Sequence, residues 1–512
     1  MKKEFEEKEE TNSSPQEVSE AIACQVVGDR SNSVQVGSAR DTLRGSVTQL
    51  DIQNIIEEFG REVQKFEFAR ASKIIDDFRQ KKLLFTSTPE DLAWGRLLNA
   101  LSEISNCDCK YYQMAFLHNR AKTMFRKEVV GCRSQYEAIA KELEGGAEKL
   151  NSVSTVVSHL LDLCRTYVLA RLEMILLYDK MTLLVTEASI DWSSMEHVAI
   201  TLRENLRKCH HPDLAGISHL FQEEVEILRL LFTAQIHISN CRMFESLLEL
   251  KQVRENFDFW IKELGSLNPA NLSFFAKILG GEPVPRNRLI QWLIKFYDLL
   301  MAKFSLYFTN VLEAYCGDED RESIHSIDNK FNFIDSFRNI QAQIKACRVG
   351  IIMDRSFDGS DFYGFGYLRK DNKFATDGYP IEPLKGVCSK YPFIFQCPNP
   401  TPGHQRNPSA EEEHGCIEKF IKKHLESRKV PEFRGGEDGE KPNERKELDT
   451  WRSETQSKYV YGDHLEGQLF IVAILNHPLK ATELGEFTKF VYASQAKLRG
   501  SDLLAELRQT AR

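Results

Sequence analysis

Lys303 stands in the middle of a long apolar run, where a lysine is either packing material or a chemical group. From Arg286 to Cys316 the chain has no Gly and no Pro. Leu289, Trp292, Leu293, Phe296, Leu299, Leu300, Phe304, Tyr307, Phe308 and Val311 recur there at helical spacing. So wide and aromatic a stripe needs cover from several neighbouring helices. A lysine in it ordinarily packs its methylenes and carries its ammonium to the bundle edge. The sharper reading is a buried catalytic or paired lysine. No cofactor motif surrounds Lys303, so the first reading is expected.

Other residues could do chemistry. Cys209-His210-His211, with Asp213 and His219 nearby, has donor types that hold metals. No spaced second pair accompanies them, so helix termination by His-His-Pro is expected instead. Gly359, Gly364 and Gly366 lack the following helix and the lysine of a phosphate cradle and read as a hairpin. Asp354-Arg355 and Asp358-Gly359 could suggest a carboxylate site, but solvated hairpin ends are expected. Cys107 near Lys110 could be an activated thiol, although a helical cysteine usually packs as a small apolar group. No Gly-x-Ser-x-Gly elbow or His-Glu-x-x-His helix occurs. Catalytic, cofactor and metal residues are therefore all expected to be none.

The elements that must position these groups fall into two regimes. With 512 residues, 42% hydrophobic and 28% charged, the chain is long enough for two or three globular domains. A net charge of −8 argues against an electrostatic nucleic-acid binder. No window approaches a membrane span. The charged start, Met1 to Glu10, has no apolar core of a secretory signal, so the 12 cysteines are expected to stay reduced.

Residues 1–46 are poor in large apolar groups and read as a disordered tail. Helical periodicity runs from Thr48. Thr88-Pro89-Glu90-Asp91 predicts an N-cap, a first-turn proline and a capping box. Glu144-Gly145-Gly146 is expected to break the chain. Ser152 to Val185 predicts a strong helix whose Arg165, Arg171, Glu173, Asp179 and Lys180 mostly fall off its apolar side. Residues 217–264 predict one very long helix or two with a short break. After a helical stretch from Glu319 to Ala346, strands are expected at 348–354, 362–368, 391–397, 458–461 and 468–475, and a closing helix at 482–498. Between Pro398 and Trp451 the composition collapses to linker material, with a short helix read within it at 417–425. The fold class is α+β: a helical bundle at 47–316, then a small α/β domain at 317–512 with a disordered insert at 398–450.

Several of these stretches resemble landmarks of the KICSTOR complex subunit 2 family. They are Ala170-Arg171-Leu172-Glu173, Tyr178-Asp179-Lys180-Met181, His210-His211-Pro212 and Phe221 to Val225. Trp292-Leu293 with Leu299 to Phe308 is the most specific match, and Val349 to Asp354, Phe362 to Tyr367, Lys385-Gly386-Val387 and Tyr391-Pro392 follow in the same order. The resemblance covers about residues 50–397 and, more weakly, 450–498. It implies a non-catalytic subunit without cofactors, with an N-terminal helical domain and a longin- or roadblock-like α/β domain. The implied partners are kaptin-like, integrin-repeat-like and very large scaffold subunits, together with the GATOR complex. The implied role is to hold GATOR at the lysosome and restrain target-of-rapamycin signalling when amino acids or glucose are scarce. Localisation would be cytoplasmic, with membranes reached only through partners. Two departures stand out: the tail before residue 47 looks longer than usual, and 398–450 replaces a further strand and helix.

The expected mechanism is docking, with a few apolar anchors dominating affinity. The rivals are a helical-bundle enzyme or metal protein using Lys303 and His210/His211, and a lipid-surface protein using an amphipathic helix. Which surfaces meet partners, and whether the chain forms a homodimer, are left open by the sequence.

Overall fold

The first apolar faces become α1 (Gln49–Gln64) and α2 (Phe68–Lys81), with Phe66 at a φ of 59° turning the chain between them. The structure, a computed structural model, describes residues 49–81, 88–117, 131–150, 154–184, 190–208, 211–265, 287–309, 312, 331–357, 362–363, 367–368, 386–398, 408–429, 448–453 and 457–509. The tail, the Gly280–Pro285 loop, most of 310–330 and the Gly359/Gly364/Gly366 cluster lie outside these residues.

Helix α3 (Pro89–Tyr112) starts as its sequence predicts. The Thr88 hydroxyl accepts from the Asp91 N–H at 3.1 Å, and the Asp91 carboxylate accepts from the Thr88 N–H at 3.2 Å. Helix α4 (Cys132–Leu150) runs straight through Gly145–Gly146, where a break was expected. Two helical glycines cost about 1 kcal/mol each against alanine, which the extensive packing of α4 on the next helix outweighs. That helix is α5 (Thr155–Leu183), followed by α6 (Trp192–Arg207), which Asp191 caps.

Residues 217–264 divide in two: α7 (Ala215–Ser239) and α8 (Met243–Gly265), separated by buried Cys241 at a φ of 54°. α1 crosses α7 at two glycines; a Cβ on Gly216 would meet the Gly60 Cα at 2.5 Å, so only glycine permits this approach. α9 (Arg288–Tyr307) is the central aromatic stripe, capped by Asn287. Its Trp292, Leu293, Phe296, Leu300 and Phe304 are buried, and it packs on α3, α7 and α8. The stripe is interior filling, as its width demands.

α10 (Phe333–Gln343) leads into a five-stranded antiparallel sheet. The described strands are β1 (Arg348–Met353), a two-residue hairpin of β2 (Phe362–Tyr363) and β3 (Tyr367–Leu368), then β4 (Phe393–Cys397), β5 (Asp449–Arg452), β6 (Tyr459–Glu466) and β7 (Leu469–Leu475). The hairpin stands apart; the sheet order is β4-β1-β7-β6-β5. Central β7 is buried along its whole length, which explains its unbroken Leu-Phe-Ile-Val-Ala-Ile-Leu run.

One sheet face is covered by α11 (Pro408–Lys429), whose Cys416, Ile417, Phe420 and Ile421 meet Ile352, Val460, Phe470, Val472 and Ile474. The short helix expected near 417–425 is present and longer, so the described stretch 408–429 of the disordered insert expected at 398–450 is ordered. The flanks of α11 are so rich in Glu, Lys and Ser that composition hid a narrow apolar face. β5, which was not foreseen, pairs with β6 beside it. The other face is covered by α10 and α12 (Ala481–Leu498); Phe337 of α10 lies 5.1 Å from Phe395 and 4.9 Å from Phe490 between ring centroids. Last comes α13 (Ser501–Gln509), which returns to the helices and packs on α5 and α9. There the Trp292 indole N–H donates to the Leu503 carbonyl at 3.0 Å. The architecture is mostly helical, and α+β as a whole.

Candidate functional site

Lys303 does not reach the bundle edge. It is fully buried, and its ammonium lies 2.5 Å from Glu466 Oε1 and 2.7 Å from Oε2. This corrects the expected snorkelling lysine; the paired reading is the one observed. Glu466 closes β6 at its turn into β7, and the turn enters the space between α7 and α9. Gln235 and Ser239, in the last turns of α7, complete the cage. The ammonium donates to Gln235 Oε1 at 3.1 Å, the Ser239 hydroxyl donates to Glu466 Oε1 at 3.1 Å, and the Gln235 amide donates to Oε2 at 3.3 Å. One helical turn past Lys303, the Tyr307 hydroxyl donates to Oε1 at 2.9 Å. Arg499 holds the turn from behind, donating to the carbonyls of Leu465 and His464.

The electrostatics are those of a closed pair. Burial pushes the Lys303 ammonium below its ordinary value, and Glu466 pulls it part of the way back. Burial, then Glu466, holds the Tyr307 phenol well above its usual range. The neighbouring Cys241 thiol is pushed up to about 12 by burial and Glu466, which keeps it protonated. Lys303, Glu466 and Tyr307 are each engaged by another side chain of the cluster. The arrangement joins the helices to the sheet.

A second cluster, which the sequence reading missed, lies inside the helices. Arg171 of α5 is fully buried, against the expectation that it falls off the apolar side. Its guanidinium reaches Glu224 Oε2 of α7 at 2.6 Å and Asp108 Oδ1 of α3 at 3.3 Å, and donates to the Tyr112 hydroxyl at 3.0 Å. Tyr111 and Tyr178 donate to Glu224, and Tyr136 and Tyr167 to Asp108. The Phe221 ring caps the guanidinium at 3.8 Å. Two carboxylates against one cation leave an excess negative charge, which four phenol donors disperse. Burial still raises the Asp108 carboxyl above its normal range, with Arg171 opposing. The available signal was Tyr167, Arg171 and Tyr178 sharing the apolar side of one helix.

The remaining candidates are not assembled. His210 and Cys209 lie outside the described residues. The preceding helix α6 ends at Arg207, ahead of His-His-Pro as expected, while His211 accepts the Asp213 N–H on Nδ1 at 3.2 Å and caps the next element, a 3-10 turn at Pro212–Leu214. His219 faces Phe259 instead. Lys303 and His211 take part in separate clusters, and among the described residues no group of three His, Cys, Asp or Glu is placed to hold a metal ion. The Cys107 thiol is pushed up to about 12 by burial, the opposite of activation. Asp354 and Arg355 are buried at the sheet end rather than solvated; their N–H groups donate to the carbonyls of Gln468 and Lys390, which takes them out of water. A cleft lined by Ile104, Leu163, Tyr167, Leu214 and Ile217 encloses ≈ 10 Å³, room for about one water. Among the described residues, no helix is long and apolar enough to cross a membrane.

Comparison with known proteins gives one consistent result. The family model described as KICSTOR complex C12orf66 like matches residues 48–396. KICSTOR subunit 2 of Xenopus laevis is 24% identical over 365 residues, covering 68% of this chain and 77% of the relative. KICSTOR subunit 2 of Danio rerio is 24% identical over 333 residues, covering 61% and 70%.

Proposed function

The chain belongs to the KICSTOR complex C12orf66-like family, and from that premise we propose that it is a non-catalytic scaffold subunit. In this reading it helps hold the GATOR complex at the lysosome and restrains target-of-rapamycin signalling when amino acids or glucose are scarce. Its partners are the kaptin-like, integrin-repeat-like and large scaffold subunits of the complex. It works in the cytoplasm and reaches the lysosomal surface through them. Neither a catalytic residue nor a cofactor takes part.

One observation carries the non-catalytic reading: the two clusters richest in chemical groups, around Lys303 and around Arg171, are spent on internal pairing. What remains for function is surface. The antiparallel sheet between α11 and the α10/α12 pair supports a longin- or roadblock-like reading of the C-terminal part, while Gln49–Arg512 forms one compact unit. The outer strand β5 has an alternating half-exposed pattern and offers an edge for a partner strand.

Affinity purification of the full chain from fed and starved cells, read by mass spectrometry, tests this. Recovery of the GATOR and kaptin-like proteins is expected in both states. A single metabolic enzyme as the recovered partner, without them, would overturn it.

A further inference from the structure

Among the described residues, the outer side of α5 carries an exposed apolar line. Leu169, Leu176 and Leu183 are 42%, 50% and 63% exposed. They recur every seven residues and so lie along one side of the helix, over about 21 Å. Single exposed leucines need no explanation, but three in register form a seam. Between them, on the same line, come the exposed Glu173 and Lys180. Lys180 also donates to Ser194 of α6 at 2.9 Å. The seam is bordered by Arg165, paired with Glu144 at 2.9 Å, and by Asp179, paired with Arg133 at 3.5 Å. Those two bridges fasten α5 to α4 and hold the seam outward.

We propose that this seam is occupied by α5 of a second copy of the chain, running antiparallel about a twofold axis at Leu176. The charges select that occupant and that direction. A parallel partner would set Glu173 on Glu173 and Lys180 on Lys180, which like-charge repulsion opposes. An antiparallel copy with Leu176 on Leu176 sets Leu169 opposite Leu183. The same register brings Glu173 within one residue of Lys180 of the other copy. A surface complementary to its own twofold image is what a closed dimer requires. The polar pair between leucines fixes direction and register, as polar seam residues do in paired helices. The proposal is independent of the scaffold reading.

Analytical ultracentrifugation of the full chain over a micromolar concentration series tests it. The wild type is expected to dimerise, and Leu176→Glu to raise the dissociation constant at least about tenfold, or 1.4 kcal/mol. Glu173→Lys and Lys180→Glu should each weaken the dimer about tenfold, and the two together should return it to within a few-fold of wild type. These positions are exposed, so thermal melts of the variants should match the wild type. A wild type monomeric throughout, a dimer unmoved by Leu176→Glu, or single charge reversals that the double variant fails to rescue would each overturn the proposal. A monomeric chain that still recovers the GATOR and kaptin-like proteins would sink the dimer alone and leave the scaffold reading standing.

Discussion

Lys303 and Glu466 are 163 residues apart in the chain, yet they form a buried ion pair in which the lysine reaches both carboxylate oxygens. Taking both charges out of water is costly, and the pair is held in register by Gln235, Ser239 and Tyr307. Such a pair adds little net stability over an apolar replacement, but breaking it is expensive. Lys303→Met is therefore expected to destabilise the chain by about 3–5 kcal/mol, because it strands a carboxylate in the interior. Lys303→Met with Glu466→Leu should recover part of that loss, leaving Tyr307 and Gln235 short of an acceptor. Urea denaturation of the single and double variants checks this; a double variant no better than the single would refute the pairing account.

Much of the frame could be read before any coordinates. The Thr88 capping box rests on residues three apart, and the β7 run is diagnostic because both its faces are covered. What sequence could not reveal depended on distant partners. Nothing local to Glu466 says that its turn enters the helices, since Lys303 and Tyr307 lie on α9 and its other donors, Gln235 and Ser239, on α7. Arg171 was misplaced because charge was taken as a sign of exposure, although Tyr167 and Tyr178 flank it on the buried side. α11 was read as only a short helix near 417–425 within linker because its apolar positions, Cys416, Ile417, Phe420 and Ile421, are few among lysines and glutamates. Their spacing marks one helical face, and only the sheet opposite gives that face a purpose.

The Arg171 cluster makes a sharper demand on side-chain shape. A planar guanidinium serves Glu224, Asp108 and Tyr112 at once. Arg171→Lys keeps the charge but loses that fork, and is expected to cost about 2–3 kcal/mol, near the value of a charged hydrogen bond lost in the interior. Arg171→Met leaves two carboxylates without a cation and should cost about 3–5 kcal/mol. Thermal melts of both variants check the order. A lysine variant as stable as the wild type would mean that charge alone holds the cluster.

His414 gives the chain a pH signature. Its Nδ1–H donates to the Tyr391 carbonyl at 2.9 Å in the contact between α11 and the sheet. Burial pushes its folded pKa down from 6.5 to about 4, against the favourable carbonyl. The unfolded chain therefore binds one more proton between these two values. The stability from keeping His414 neutral is complete above about pH 6.5 and is lost as pH falls toward about 4. His414→Gln keeps an N–H donor but cannot titrate. The pH slope of its unfolding free energy in that window should be shallower than the wild-type slope, by up to about 1.4 kcal/mol per pH unit. Equal slopes would show that His414 does not report the α11 contact.

Gly60 and Gly216 set how closely α1 can approach α7, and the two positions are not equivalent. A Cβ on Gly216 would sit 2.5 Å from the Gly60 Cα and 2.6 Å from its carbonyl oxygen, both backbone atoms that cannot rotate away. A Cβ on Gly60 would meet its nearest neighbour, the Gly216 Cα, at 3.4 Å, an ordinary contact. Alanine at either site also gains up to about 1 kcal/mol of helix propensity over glycine. Gly60→Ala is therefore expected to be neutral or slightly stabilising. Gly216→Ala must push the helices apart and loosen the packing of Ile56, Phe59 and Leu220, all buried at this crossing or next to it in sequence. A cost of about 1–3 kcal/mol is expected, as for other overpacked sites. Denaturation of the two variants side by side decides the matter. The asymmetry is the prediction: equal effects at the two glycines would mean that α1 and α7 do not cross this closely in solution.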